Sequence, residues 1–161
     1  MSTRVVDTPV GRIVLVASAA GLREALWVAR AEIPPDVEDE PDAAAILVHA
    51  AAQLEEYFAG RRRAFDLPLD LVGTPFQLQA WRALAEIPYG ETVSYGEQAR
   101  RLGRPDAARA VGAANGRNPL SIVLPCHRVV GTDGSLTGYG GGLETKRWLL
   151  GHERAVIRGQ G

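Results

Sequence analysis

The segment Gly73-Thr74-Pro75-Phe76-Gln77 constrains the fold more than any other, because it marks a helix start with three separate signals. Thr74 can accept from a free amide of the first turn, Pro75 has no amide hydrogen to leave unbonded there, and Gln77 completes a capping box. A helix that opens this firmly divides the chain in two. The expectation is an α/β (α+β) protein, with a small N-terminal α/β domain over residues 1–72 and a mostly helical C-terminal domain over residues 73–161. A chain of 161 residues, 46% of them hydrophobic, has enough apolar surface for one compact domain or two small ones.

In the first part, Ile13 to Ala17 follows a Pro9-Val10-Gly11 turn and Leu22 to Val28 follows Ala19-Ala20-Gly21, which reads as an antiparallel hairpin. Ile33 to Pro41 holds three prolines and four acids and reads as an exposed connection. A helix is expected from about Ala43 to Phe58, with Ile46, Leu47, Leu54 and Phe58 on its apolar side and Gly60 ending it. Residues 64–71 alternate Phe65, Leu67, Leu69 and Leu71 and read as a strand. No apolar run approaches the length of a membrane span, and the N-terminus lacks a signal-peptide pattern, so a soluble cytoplasmic protein is the default.

In the second part, Phe76, Ala80, Trp81 and Leu84 give the first helix its buried side. Ser94 and Glu97 form a second capping box, opening a helix that runs to about Leu102 and stops at Gly103, and Pro105 opens another that ends near Asn115-Gly116. Two short helices joined this tightly are either a helix-turn-helix or a simple packing unit, and their spacing favours neither. The second helix is nearly all small (Ala107, Ala108, Ala110, Gly112, Ala113, Ala114), with Arg109 its only long side chain. Its backbone can come very close to another surface: a minor groove, with Arg109 projecting alone, or the protein's own interior. Charge is asymmetric behind a net value of −1. Residues 32–56 carry eight acids and no Lys or Arg, whereas residues 98–132 carry six arginines against Asp106 alone, a local surface that permits an anionic partner.

Cys126 is the only cysteine, which rules out an internal disulfide and any zinc site with two thiolates; His49, His127 and His152 show no metal-ligand spacing, so no metal is expected. Cys126 lies in the apolar run Ile122 to Val130, where an inert buried thiol is the commoner outcome. Its neighbours His127 and Arg128 argue for a nucleophile, since a base or positive charge lowers a thiol pKa. In an extended run His127 points away from the sulfur, and a water-bridged proton relay suits that geometry. Gly138-Tyr139-Gly140-Gly141-Gly142 lets backbone amides approach a ligand beside an aromatic wall, but completes neither a dinucleotide nor a phosphate loop, so no cofactor is expected. A last helix, Leu143 to Glu153, sets Glu153 on the face of Leu149 and Leu150, where its charge opposes the helix dipole; His127 is its natural partner.

Pro125-Cys126-His127-Arg128-Val129 is preceded by Pro88-Tyr89-Gly90-Glu91-Thr92-Val93-Ser94-Tyr95-Gly96, Arg109-Ala110-Val111-Gly112 and Asn118-Pro119. It is followed by Gly138 to Leu143 and by Trp148-Leu149-Leu150-Gly151-His152-Glu153. In this order the motifs closely resemble those of the O6-alkylguanine-DNA alkyltransferases, and a weaker match at Thr8-Pro9-Val10-Gly11 extends the resemblance over nearly the whole chain. It implies a ribonuclease H-like fold for the N-terminal domain and a DNA-binding, alkyl-accepting C-terminal domain. It implies single-turnover, cofactor-free transfer of an alkyl group from O6-alkylguanine, and from O4-alkylthymine, to Cys126 after the nucleotide is flipped out of the duplex.

By the same resemblance, His127 activates Cys126 through a water and Glu153 orients His127. Asn118 ties the recognition helix to the active-site loop. Tyr95 rotates the nucleotide and hydrogen-bonds N3, and Arg109 fills the vacated stack. The carbonyls of Cys126 and Val129 read the guanine amine, the Gly140 amide meets O6, and Tyr139 lines the alkyl pocket. Ala107, Ala108, Ala110, Gly112, Ala113 and Asn115 accompany Arg109 against double-stranded DNA in the minor groove, bound by a monomer acting alone or cooperatively. The chain departs from some relatives in lacking zinc-binding cysteines and in carrying Gly140 where a serine occurs, and no phosphotriester domain is expected. Ser121 is a variable pocket wall. Two rivals remain: a non-catalytic helix-turn-helix protein that only binds DNA or lesions, and a cysteine hydrolase using Cys126 and His127.

Overall fold

The computed structural model describes residues 1–28 and 40–159, which fall into two compact units, Met1–Val72 and Gly73–Gly161. Most of the expected connection at 33–41 lies outside the described residues.

Among its described residues the first unit is a three-stranded antiparallel sheet, β1 (Ser2–Thr8), β2 (Gly11–Ser18) and β3 (Gly21–Val28), in that order, with one helix, α1 (Pro41–Phe58), packed on it. Alternation along β2 sends Ile13, Leu15 and Ala17 into the core, all fully buried. The expected hairpin is β2 and β3; β1 extends it, pairing Ser2 to Thr8 with Ala17 to Gly11. The buried stripe of α1 runs Ala43, Leu47, Ala50, Leu54 and Tyr57. It is rotated from the expected one, so that Ile46 and Phe58 are half-buried and Tyr57 is enclosed. Helix α1 ends as expected at Gly60, whose φ of 78° is left-handed, with Arg61 N–H donating back to Glu56 O at 2.9 Å.

Residues 64–71 do not form the expected strand. Asp66 finds its backbone partners on the side chain of Gln53, which donates to Asp66 O at 2.8 Å and accepts from Asp66 N–H at 2.9 Å. Pro68 has no N–H to offer a ladder. Among the described residues a single parallel bridge remains, Leu22 to Leu69, made by Leu22 N–H to Pro68 O and Asp70 N–H to Leu22 O.

The second unit is mostly helical: α2 (Pro75–Leu84), α3 (Tyr95–Arg101), α4 (Ala108–Gly116) and α5 (Leu143–Ile157), with a two-residue parallel pair, β4 (Val93–Ser94) and β5 (Val129–Val130). The Thr74 capping box forms in full. At Ser94 only half of one forms: Ser94 Oγ accepts from Glu97 N–H, but the Glu97 carboxylate turns to Arg100 and Arg101 one turn on. Helix α4 begins at Ala108 rather than at Pro105, because residues 104–107 close a turn, with Ala107 N–H donating to Arg104 O at 2.9 Å. Helices α3 and α4 pack as a pair, and Trp81 locks α2 to α4 by donating from Nε1 to Ala114 O at 2.7 Å inside the core.

The crossing of β3 by residues 68–70 depends on Gly21, where a Cβ would lie 2.7 Å from Pro68 O and from Leu69 C, both backbone atoms. Backbone cannot swing aside as a side-chain tip can. Gly21→Ala should therefore lower the stability of the first unit by about 1–3 kcal/mol, the usual cost of overpacking. A denaturant midpoint unchanged from wild type would show that the bridge gives way at no cost.

Candidate active site

The chain from α4 to Cys126 is buried and sharply folded. Asn118 organises it: its Nδ2 donates to Leu124 O at 2.7 Å and its Oδ1 accepts from Leu120 N–H at 3.0 Å. The expected extended run through Cys126 is instead a 3₁₀ turn over Cys126–Arg128, and only Val129 and Val130 are strand. The turn directs His127 inward, fully buried, where its Nε2 meets Glu153 Oε2 at 2.6 Å.

Arg128 goes the same way, contrary to the expectation that it would sit by the thiol. Its Nε donates to Glu153 Oε1 at 2.9 Å, its Nη2 to Glu153 Oε2 at 3.1 Å and its Nη1 to Ile87 O at 2.8 Å. Gly90 N–H adds a fourth contact to Glu153 Oε1 at 3.0 Å. Helix α5 continues to Ile157, so Glu153 lies a turn inside the helix and not at its end.

These contacts set the charges. Burial alone would raise the Glu153 carboxyl, but the hydrogen bond from His127 and the Arg128 guanidinium outweigh it and hold Glu153 well below the usual carboxylate range. Burial pushes His127 down, against the pull of Glu153, so the ring is neutral at physiological pH and Arg128 supplies the countercharge. With Nε2–H donated to Glu153, the buried Nδ1 carries a lone pair and finds no partner among the described residues. Cys126 is half-buried, and burial raises its thiol despite a hydrogen bond with Asn118 and the nearby charge of Lys146. The expected lowering by adjacent positive charge does not occur, because both neighbours face Glu153.

Cys126 belongs to the lining of a cavity of ≈ 570 Å³, with Tyr95, Ala108, Arg109, Gly112, Asn115, Gly116 and residues 137–140. Tyr95, Arg109, Tyr139, Gly140 and Cys126 are thus brought together. Ala110 and Ala113 are exposed on α4, and Ala107 is half-buried at its start. The Asn115 side chain turns inward and pairs with Gln98. The Val129 side chain is buried, and its carbonyl accepts from Lys146 Nζ at 2.7 Å. A Cβ at Gly140 would meet nothing within 4 Å, so the position tolerates a side chain. Among the described residues, no group of His, Cys, Asp or Glu could hold a metal ion and no helix is long and apolar enough to cross a membrane.

Sequence reasoning missed Arg128 as the partner of Glu153, Thr137 as a wall, and Lys146. The last carried a signal: it precedes Leu149, Leu150 and Glu153 by three, four and seven residues, and so shares their buried face.

The chain as a whole matches a known family. Residues 1–71 match the ribonuclease-like domain, and residues 75–155 the DNA-binding domain, of 6-O-methylguanine DNA methyltransferase. The methylated-DNA–protein-cysteine methyltransferase of Mycobacterium tuberculosis is 48% identical over 152 residues, 94% of this chain and 92% of the relative. That of Methanosarcina barkeri is 46% identical over 158 residues, 96% and 98% of the two chains. The crystal structure of Mycobacterium tuberculosis OGT in complex with DNA superposes with a TM-score of 0.84 at 46% identity, covering 96% of this chain and 93% of that one. The chain belongs to the 6-O-methylguanine DNA methyltransferase family.

In the folded chain Glu153 releases its proton far more readily than at the ordinary value of 4.5, and His127 more readily than at 6.5. The unfolded state therefore binds more protons below those values. Stability contributed by both groups is present at neutral pH and is lost as the pH falls, first through His127 below 6.5 and then through Glu153 below 4.5. Glu153→Gln should flatten the second, acid portion of a stability-against-pH curve while costing about 3–5 kcal/mol at neutral pH, because Arg128 is left buried without its countercharge. Parallel acid slopes in variant and wild type would place the acid sensitivity elsewhere.

Proposed function

We propose that the protein repairs DNA by direct reversal, moving the alkyl group of O6-alkylguanine onto Cys126 once per molecule. The observation that carries this is the position of its single cysteine, at the wall of the cavity beside a neutral, buried histidine paired to an ionised carboxylate. The thiol proton passes through a water to Nδ1 of His127, the sulfur attacks the alkyl carbon, and the carbon–O6 bond breaks as the carbon–sulfur bond forms. The departing guanine needs one proton and the thiol has released one, so no reagent is consumed. The thioether is not reopened, and turnover stops there.

Tyr95 donates to the base at N3, Tyr139 walls the alkyl group, and the Gly140 amide meets O6. Arg109, exposed on a helix of small residues at the cavity edge, enters the gap left by the flipped nucleotide while α4 lies in the minor groove. O4-alkylthymine presents the same alkyl–oxygen bond and is a second substrate. The protein acts in the cytoplasm as a monomer, and mixed-length DNA titrations will read any cooperativity.

Incubation with an oligonucleotide carrying O6-methylguanine should add one methyl to the intact protein mass, with none added to Cys126→Ser, which still binds DNA through its other contacts. A cleaved product with no mass change would indicate a hydrolase, and binding with neither would indicate a lesion-binding protein. Arg109→Ala should slow transfer from duplex by roughly ten- to a hundredfold, since opening a stack costs a few kcal/mol, and leave the free modified base almost unaffected. Equal losses on both substrates would remove Arg109 from the stack.

A further inference from the structure

Tyr95 and Thr137 face each other within the lining of the cavity, and Thr137 Oγ1 donates to the Tyr95 hydroxyl at 2.9 Å. Thr137 lies on the glycine-rich stretch before α5 and is exposed, yet its backbone is held from within. Its carbonyl accepts from Lys146 Nζ at 2.9 Å, and the same ammonium, on a fully buried side chain, donates to Val129 O at 2.7 Å. One buried cation thus fixes both the strand after Cys126 and the residue that touches Tyr95.

A phenol hydroxyl turns about its own C–O bond and can donate outward as readily as inward. A second hydroxyl donating to its oxygen occupies an acceptor lone pair and leaves the phenol proton for another partner, and a nucleobase in the cavity presents one. The three groups then form a chain in a single direction, threonine to tyrosine to base, in which each donation strengthens the next. We propose that Thr137 is a positioning residue for the alkyl transfer: anchored by Lys146, it orients the Tyr95 hydroxyl as a donor into the cavity and supports the negative charge the phenol oxygen gains as it donates. This rests on Tyr95 being the donor to the flipped base.

The test is a double-mutant cycle read in single-turnover transfer from duplex O6-methylguanine, with DNA affinity and thermal midpoint measured beside it. Thr137→Val keeps the shape and removes the hydroxyl; it should slow transfer roughly fivefold, the worth of one hydrogen bond, with DNA affinity unchanged. Thr137→Ser should recover most of the rate. In a Tyr95→Phe background Thr137→Val should cost nothing more, because the oxygen it orients is gone. A slow Tyr95→Phe beside a Thr137→Val of wild-type rate overturns the inference and leaves Tyr95 as donor. Tyr95→Phe of wild-type rate overturns the role of Tyr95 and the inference with it. A Thr137→Val loss that is undiminished in Tyr95→Phe, or matched by weakened DNA binding or a lowered thermal midpoint, assigns Thr137 to the loop and overturns the inference.

Discussion

The ionised carboxylate of Glu153 is the constraint on which the second unit depends. It is fully buried, and a bare charge there would be untenable, so donors converge on it from the 3₁₀ turn through His127 and Arg128 and from the turn after Pro88 through Gly90. Arg128 extends the clamp to Ile87 O and lies 5.5 Å from the ring of Tyr89. Two helical turns earlier on the same face of α5, Lys146 carries the opposite charge to Val129 and Thr137. Helix α5 therefore delivers one negative and one positive group into the interior, and both act on the segments that frame Cys126.

The consequence for the chemistry is a resting thiol, not a standing thiolate. Neither His127 nor Arg128 is available to stabilise a sulfur anion, because both are committed to Glu153. What Glu153 provides instead is a fixed tautomer: with Nε2–H as donor, Nδ1 is the acceptor, and the ring gains basicity only as positive charge develops on it. On the proposed mechanism such a site is quiet until an alkylated base brings an electrophilic carbon within reach. An inert thiol is an advantage in a protein that reacts once.

The sequence made some of this legible for local reasons. The helix starts at Thr74 and Ser94 depend on three or four adjacent residues, and the Glu153–His127 pair was visible because a charge on an apolar helix face demands a partner. Arg128, two residues beyond Cys126, would share its side in an extended run, but the 3₁₀ turn swings it away to Glu153. The strand expected over residues 64–71 failed for a similar reason: alternation describes side chains, whereas a strand needs backbone partners, and Gln53 had taken those of Asp66. The rotated stripe on α1 rests on Ala43 and Ala50, which carry little hydrophobic signal until something packs against them. Lys146 was passed over because lysine is ordinarily solvated, and Thr137 because its contacts with Tyr95 and Lys146 are made by distant parts of the chain.

The path from α4 to Cys126 shows how one short piece of chain reaches the cavity at both its ends. Ala108, Arg109, Gly112 and Cys126 line the same cavity, so the ten residues after Gly116 must return to the helix they have just left. The reversal forces Ile122 to a φ of 71°, a left-handed conformation for a β-branched residue, with Val123 N–H closing onto Ser121 O at 2.8 Å. Such a residue costs about 1–3 kcal/mol and persists only where its surroundings over-determine it. Asn118 does so by bonding Leu120 on one side of the kink and Leu124 on the other, and it reaches Cys126 as well. The strain is the local expression of a geometric demand: a helix of small residues and the nucleophile are held a fixed distance apart by the chain between them. Anything that seats α4 against a surface therefore also sets where Cys126 stands.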